Sequence, residues 1–173
     1  MQGDSGEIGD RARNGTPIPR SIRRRDYGRV DGQGFVMRIE KTSIPDVLHL
    51  HLQPANDSRG MFARVWCESE LGSHIPNARA VQCSLSWSKS RGTLRGLHLQ
   101  RPPSQEGKLV RCIRGEVWDV AVDLRPESAT FLRHFAIRLD SQVRNAVFIP
   151  PGVAHGFQTL VDDTELLYMM TDK

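Results

Sequence analysis

Four side chains in this sequence are of types suited to moving protons: His98, Lys108, His155 and Tyr168. An imidazole, with an ordinary pKa of about 6.5, is the group best matched to taking a proton near neutral pH. A phenol, with a pKa of about 10, can return a proton to a carbanion. A half-buried ammonium stabilises an oxyanion such as an enolate. Arg59 and Arg95 accompany them as candidate anion clamps, because a planar guanidinium meets phosphate oxygens in pairs. Taken singly, each residue also fits an ordinary structural role. His98 reads equally as a surface histidine, His155 as an anchor for its loop, Lys108 as a strand-edge lysine and Tyr168 as part of a core.

Metal chemistry finds less support in the chain. Two residues after His98 stands Gln100, a poor ligand for zinc or iron. The pair His49 and His51 has the spacing of a metal-binding strand, but no suitable glutamate follows it. The expectation from these residues is therefore no metal site.

These residues sit in short alternating runs. In Leu94–Gln100, period-two alternation sends His98 and Gln100 to the face opposite Leu97 and Leu99. Further runs are Met37–Lys41, Val47–Leu52, Met61–Cys67, Ala80–Trp87, Lys108–Ile113, Val117–Leu124, Phe135–Leu139, Ala146–Ile149, His155–Val161 and Glu165–Met170. Asn56–Gly60 and Pro150–Gly152 are turn signals between them, and only Glu68–Gly72 has a helical look. Many short strands with Gly/Pro turns predict an all-β sandwich or barrel with little helix; a jelly roll, one form of this class, encloses a ligand cavity between two sheets.

Bulk composition narrows the setting. The 173 residues suit one domain with a substantial core, and 38% hydrophobic with 25% charged residues reads as soluble and globular. No apolar run reaches the roughly 20 residues of a membrane span, and no secretory signal opens the chain. A cytoplasmic protein is expected, with Cys67, Cys83 and Cys112 reduced. Of the net charge of +4, residues 1–30 hold +3, from seven arginines against four acidic residues. The arginines around Ile22–Arg25 lack the interleaved aromatics of a nucleic-acid surface, so a solvated tail is expected and no nucleic-acid partner. Residues 1–36 read as a basic, disordered extension and 37–173 as the folded domain.

Several segments together resemble one family. They are Asp57-Ser58-Arg59-Gly60-Met61-Phe62, Leu94-Arg95-Gly96-Leu97-His98-Leu99-Gln100, Lys108-Leu109-Val110-Arg111, Gly115 through Arg125, and Pro150-Pro151-Gly152-Val153-Ala154-His155-Gly156-Phe157. Their order and spacing are similar to those of the dTDP-4-dehydrorhamnose 3,5-epimerases, cupin-type sugar-nucleotide epimerases. The resemblance implies a dimeric, cofactor-free jelly roll acting on a thymidine-diphosphate 4-keto-6-deoxy sugar of rhamnose-type synthesis. It implies that His98 is the base, Tyr168 the acid and Lys108 the enolate stabiliser. Arg59 and Arg95 would meet the diphosphate, Phe62 and Gln82 the nucleotide, and Gln100, Asp119 and His155 would complete the pocket. The chain departs from the family at Leu99 and at Arg64, where members carry an aromatic residue and a glutamate. It also ends sooner after Tyr168 than members do, so the domain is expected to be C-terminally short, with a weak or inactive sugar-nucleotide binder as the alternative function.

Overall fold

The computed structural model describes residues 37–172, which form twelve strands and one short helix. The expectation of a disordered extension over 1–36 falls outside the described residues. The strands are β1 (Arg38–Lys41), β2 (Leu48–His51), β3 (Ala55–Asp57), β4 (Gly60–Phe62), β5 (Gln82–Ser88), β6 (Leu94–His98), β7 (Lys108–Arg114), β8 (Glu116–Asp123), β9 (His134–Asp140), β10 (Asn145–Ile149), β11 (Val153–Thr159) and β12 (Thr164–Met170), with α1 (Glu68–Leu71) after β4. They pair antiparallel into a six-stranded sheet, β1-β2-β10-β7-β12-β5, and a four-stranded sheet, β6-β11-β8-β9. This is the all-β, cupin-like jelly-roll sandwich expected from the sequence.

Two apolar clusters explain the sequence pattern. One fills the space between the sheets, with Val110 and Cys112 of β7, Val117 and Ala121 of β8, Val153 and Phe157 of β11 and Leu166 of β12. The other covers the opposite face of the six-stranded sheet, where Leu48, Leu50, Leu109, Phe148 and Met169 meet Leu71 of α1 and Ile75. Strands buried on both faces read as near-continuous apolar runs, as β10 does from Ala146 to Ile149, whereas the equally buried stretch of β7 carries Lys108 and Arg111 among its apolar residues. Strand β8 keeps strict alternation: Val117, Asp119, Ala121 and Asp123 point inward and Trp118 outward.

One predicted strand is corrected. Met61–Cys67 is extended only as far as Phe62; Cys67 then acts as the N-cap of α1, and the chain leaves the pleat to lay Leu71 on the second cluster. The turn at Asn56–Gly60 closes a separate two-stranded sheet, β3-β4, whose Asp57 carboxylate accepts the Arg59 backbone N–H and its guanidinium.

Candidate active site

The register of two strand pairs brings the chemistry together. On the six-stranded sheet, Tyr168 of β12 lies opposite Val110 of β7 and opposite Ser84 of β5, while Met170 lies opposite both Lys108 and Gln82. Residues directly opposite share a face, so Lys108, Tyr168 and Gln82 stand on the inner face with Lys108 and Gln82 diagonal to Tyr168. On the four-stranded sheet, His155 of β11 lies opposite His98 of β6, and Phe157 lies opposite Arg95. His155 and Phe157 point inward, and a register shift between the two pairs lets His98 and Arg95, three residues apart, share that face. Facing sheets thus supply an imidazole pair on one side and an ammonium with a phenol on the other.

Two glycines make the β6–β11 pairing close enough. A side chain on Gly96, whose φ is +116°, would put its Cβ 2.6 Å from Gly156 Cα, and one on Gly156 would put its Cβ 2.7 Å from the Arg95 carbonyl oxygen. Only glycine at both positions lets the two backbones meet, two residues before His98 and one after His155.

The buried centre of the site is an acid–imidazole pair. His155 and Asp119 are each 1% exposed, and His155 Nδ1 lies 3.1 Å from both carboxylate oxygens of Asp119. A carboxylate there accepts Nδ1–H, which fixes the tautomer with the Nε2 lone pair free to face away. The Tyr168 ring stands edge-on to His155, with centroids 6.2 Å apart. Burial pushes the Tyr168 phenol well above its ordinary pKa, the Asp119 charge adds to that shift, and Arg95 and a hydrogen bond with Ser86 oppose it. Asp119, Arg95 and Tyr168 therefore share one electrostatic neighbourhood. Arg95 is aimed by donating from Nε to Ser88 Oγ and from Nη2 to the Trp87 carbonyl, each at 3.2 Å.

Lys108 is 8% exposed, and its ammonium donates to Glu106 Oε1 at 3.2 Å. Glu106 was not singled out from the sequence, although its i, i+2 spacing to Lys108 in extended chain was a usable signal. Ser86 and Ser88 were also missed; both act across strands, which no local pattern reports.

Other expected site residues are exposed, unlike Asp119 and His155. His98 is exposed, because it ends β6 and β6 is an edge strand of its sheet. Gln100 lies beyond the end of β6, so the alternation read from the sequence stops at His98. Arg59 and Phe62 belong to the exposed β3-β4 hairpin rather than to the strands that carry His98, Lys108 and Tyr168. Gln82 is exposed and donates to Met170 Sδ at 3.3 Å. A hollow of about 300 Å³ lies against Leu94, Leu97, Trp118 and Val120, but His98, Lys108 and Tyr168 do not line it.

Comparison with known proteins bears on the same strands. The family model for dTDP-4-dehydrorhamnose 3,5-epimerase matches residues 41–173. The chain is 43% identical over 138 residues to the dTDP-4-dehydrorhamnose 3,5-epimerase of Salmonella typhimurium, covering 79% of this chain and 75% of that protein. Its fold is similar to the Bacillus anthracis dTDP-4-dehydrorhamnose 3,5-epimerase crystallised with TDP and pyrophosphate, with TM-score 0.76, 32% identity and coverage of 80% and 79%. It is likewise similar to a Legionella pneumophila epimerase in complex with dTDP-4-keto-L-rhamnose, with TM-score 0.74, 35% identity and coverage of 79% and 72%. Sequence, fold and the inward-facing His, Lys and Tyr agree: this chain is an enzyme of the dTDP-4-dehydrorhamnose 3,5-epimerase family.

Proposed function

We propose that this enzyme inverts C3 and C5 of a dTDP-linked 4-keto-6-deoxy sugar through enolates, in the synthesis of rhamnose-type deoxysugars. The observation that carries this reading is the cross-strand register: His98 with His155 on one sheet, Lys108 diagonal to Tyr168 on the other. The 4-keto group acidifies the C–H bonds on either side of it. His98 takes one such proton, and the C–H electron pair becomes the enolate, with its charge on the former keto oxygen. Lys108 stabilises that oxygen, and Tyr168 delivers a proton to the opposite face as the C–H bond re-forms. Asp119 holds His155 as a positioning residue at the pocket wall. Arg95 from the sandwich side and Arg59 from the exposed rim receive the diphosphate, Phe62 and Gln82 hold the nucleotide, and Gln100 contacts the substrate.

We also propose a homodimer of single-domain subunits in the cytosol. Among the described residues β5 is an edge strand of the six-stranded sheet and exposes Leu85 (63%) and Trp87 (55%), an apolar edge of the kind that seeks a partner. Cys67, Cys83 and Cys112 are free thiols, as in a reducing compartment, and no helix among the described residues is long and apolar enough to cross a membrane.

Nuclear magnetic resonance of the product formed from dTDP-4-keto-6-deoxyglucose tests the reaction. The expected product is inverted at both carbons. Recovery of unchanged sugar would overturn the assignment, and inversion at C3 alone would make the enzyme a one-centre epimerase.

A further inference from the structure

His49 and His51 play no part in the site described above, yet the fold gives them the carboxylate that the downstream sequence lacks. They stand two residues apart on β2 and so project from one face, and Glu40 of β1 is the cross-strand partner of His49. Glu40 Oε2 lies 3.5 Å from His49 Nδ1 and 3.5 Å from His51 Nε2, and the three donor atoms lie within 4.8 Å of one another. Two ligands each bonded at 2.0–2.1 Å to a tetrahedral ion stand about 3.3 Å apart, so these nitrogen–oxygen separations need almost no change to hold one. Arg38 Nε sits 3.3 Å from Glu40 Oε1, which occupies that oxygen and leaves Oε2 for the rings. His51 Nε2 is buried and has no hydrogen-bond partner among the described residues.

We propose that Glu40, His49 and His51 form a binding site for a divalent ion of the zinc class, with water completing its coordination. The donor set of two imidazoles and one carboxylate is that of an open zinc site. Asn145 sets the strength. Its Oδ1 accepts the Asp140 N–H at 3.1 Å, and its Nδ2 donates to the Arg138 carbonyl at 2.9 Å and points at His49 Nε2 at 3.1 Å. His49 Nε2 is therefore an acceptor without metal, and the ring proton sits on Nδ1 toward Glu40. An ion on Nδ1 displaces that proton and opposes the Asn145 amide, so binding is weaker than at a closed structural zinc site.

Zn²⁺ titration of the EDTA-stripped full chain by calorimetry, with Co²⁺ absorption as a second probe, tests the site. One ion per chain is expected, with visible Co²⁺ bands and a thermal midpoint that rises with Zn²⁺. Glu40→Gln and His51→Asn are each expected to weaken binding at least about tenfold, whereas His98→Asn leaves it unchanged. Glu40 lies at the surface, so Glu40→Gln keeps the fold and remains informative should His51→Asn fail to fold. Absence of saturable binding, or affinity unchanged in Glu40→Gln, would overturn the proposal.

Discussion

Asp119 sits in the interior of the sandwich with a single imidazole for company. His155 Nδ1 donates to Asp119 Oδ1 and is aimed by that bond, while Asp119 Oδ2 is buried with no hydrogen-bond partner among the described residues. Removing the carboxylate strands a buried ring nitrogen. Asp119→Ala is expected to cost about 1–3 kcal/mol in urea unfolding and to lower turnover as well. Tyr168 carries a second consequence. Its pKa is raised in the folded protein, chiefly by burial and then by Asp119, so the phenol keeps its proton above its ordinary value. The acid form thus persists through the alkaline range, and the loss of kcat/KM due to this group is expected above pH ~10 rather than at it. Stability follows the same sign. The contribution is complete below the unfolded value of about 10 and is lost as pH rises beyond it, where the unfolded chain ionises first. Urea unfolding is expected to show falling stability above pH ~10 in the wild type and a shallower fall in Tyr168→Phe.

At the scale of elements, β6 and β11 decide whether His98 belongs to the site at all. Their close approach rests on Gly96 and Gly156, and a Cβ at Gly96 meets backbone, which cannot move aside as a flexible side chain can. Gly96→Ala is expected to cost about 1–3 kcal/mol from the φ of +116° alone, with the steric contact added, and to remove activity before it removes the fold. Thermal unfolding beside a turnover assay separates the two effects. These elements were largely legible in the sequence. Lys108–Ile113 and Glu165–Met170 announced themselves by length and pattern, and the structure extends each by one residue. What was not legible was pairing. Nothing local in Gln82-Cys83-Ser84-Leu85-Ser86 says that Ser84 lies opposite Tyr168, or that Glu40 faces His49, because strand order is set by packing of distant segments. The exposure of His98 was left open by the sequence for the same reason: whether a strand is central or at an edge is a property of the sheet.

At the scale of the whole molecule, the two sheets place the inward-facing groups between them and, among the described residues, leave the β5 edge open. An edge bearing Leu85 and Trp87 is an aggregation hazard in a monomer and an asset in a dimer. Leu85→Glu is expected to shift the species seen by analytical ultracentrifugation from dimer to monomer. A wild-type chain that sediments as a monomer at all concentrations would contradict the dimer.

The central claim is that His98, exposed at the end of β6 and sharing a face with His155, removes a proton from carbon. Turnover in D₂O with the purified full chain tests it most directly. The account predicts solvent deuterium at both carbons beside the keto group, and a loss of exchange on the order of 10²–10⁴-fold in His98→Asn with the thermal midpoint unchanged. A wild-type enzyme that incorporates no deuterium, or a His98→Asn variant that exchanges at the wild-type rate, would contradict it.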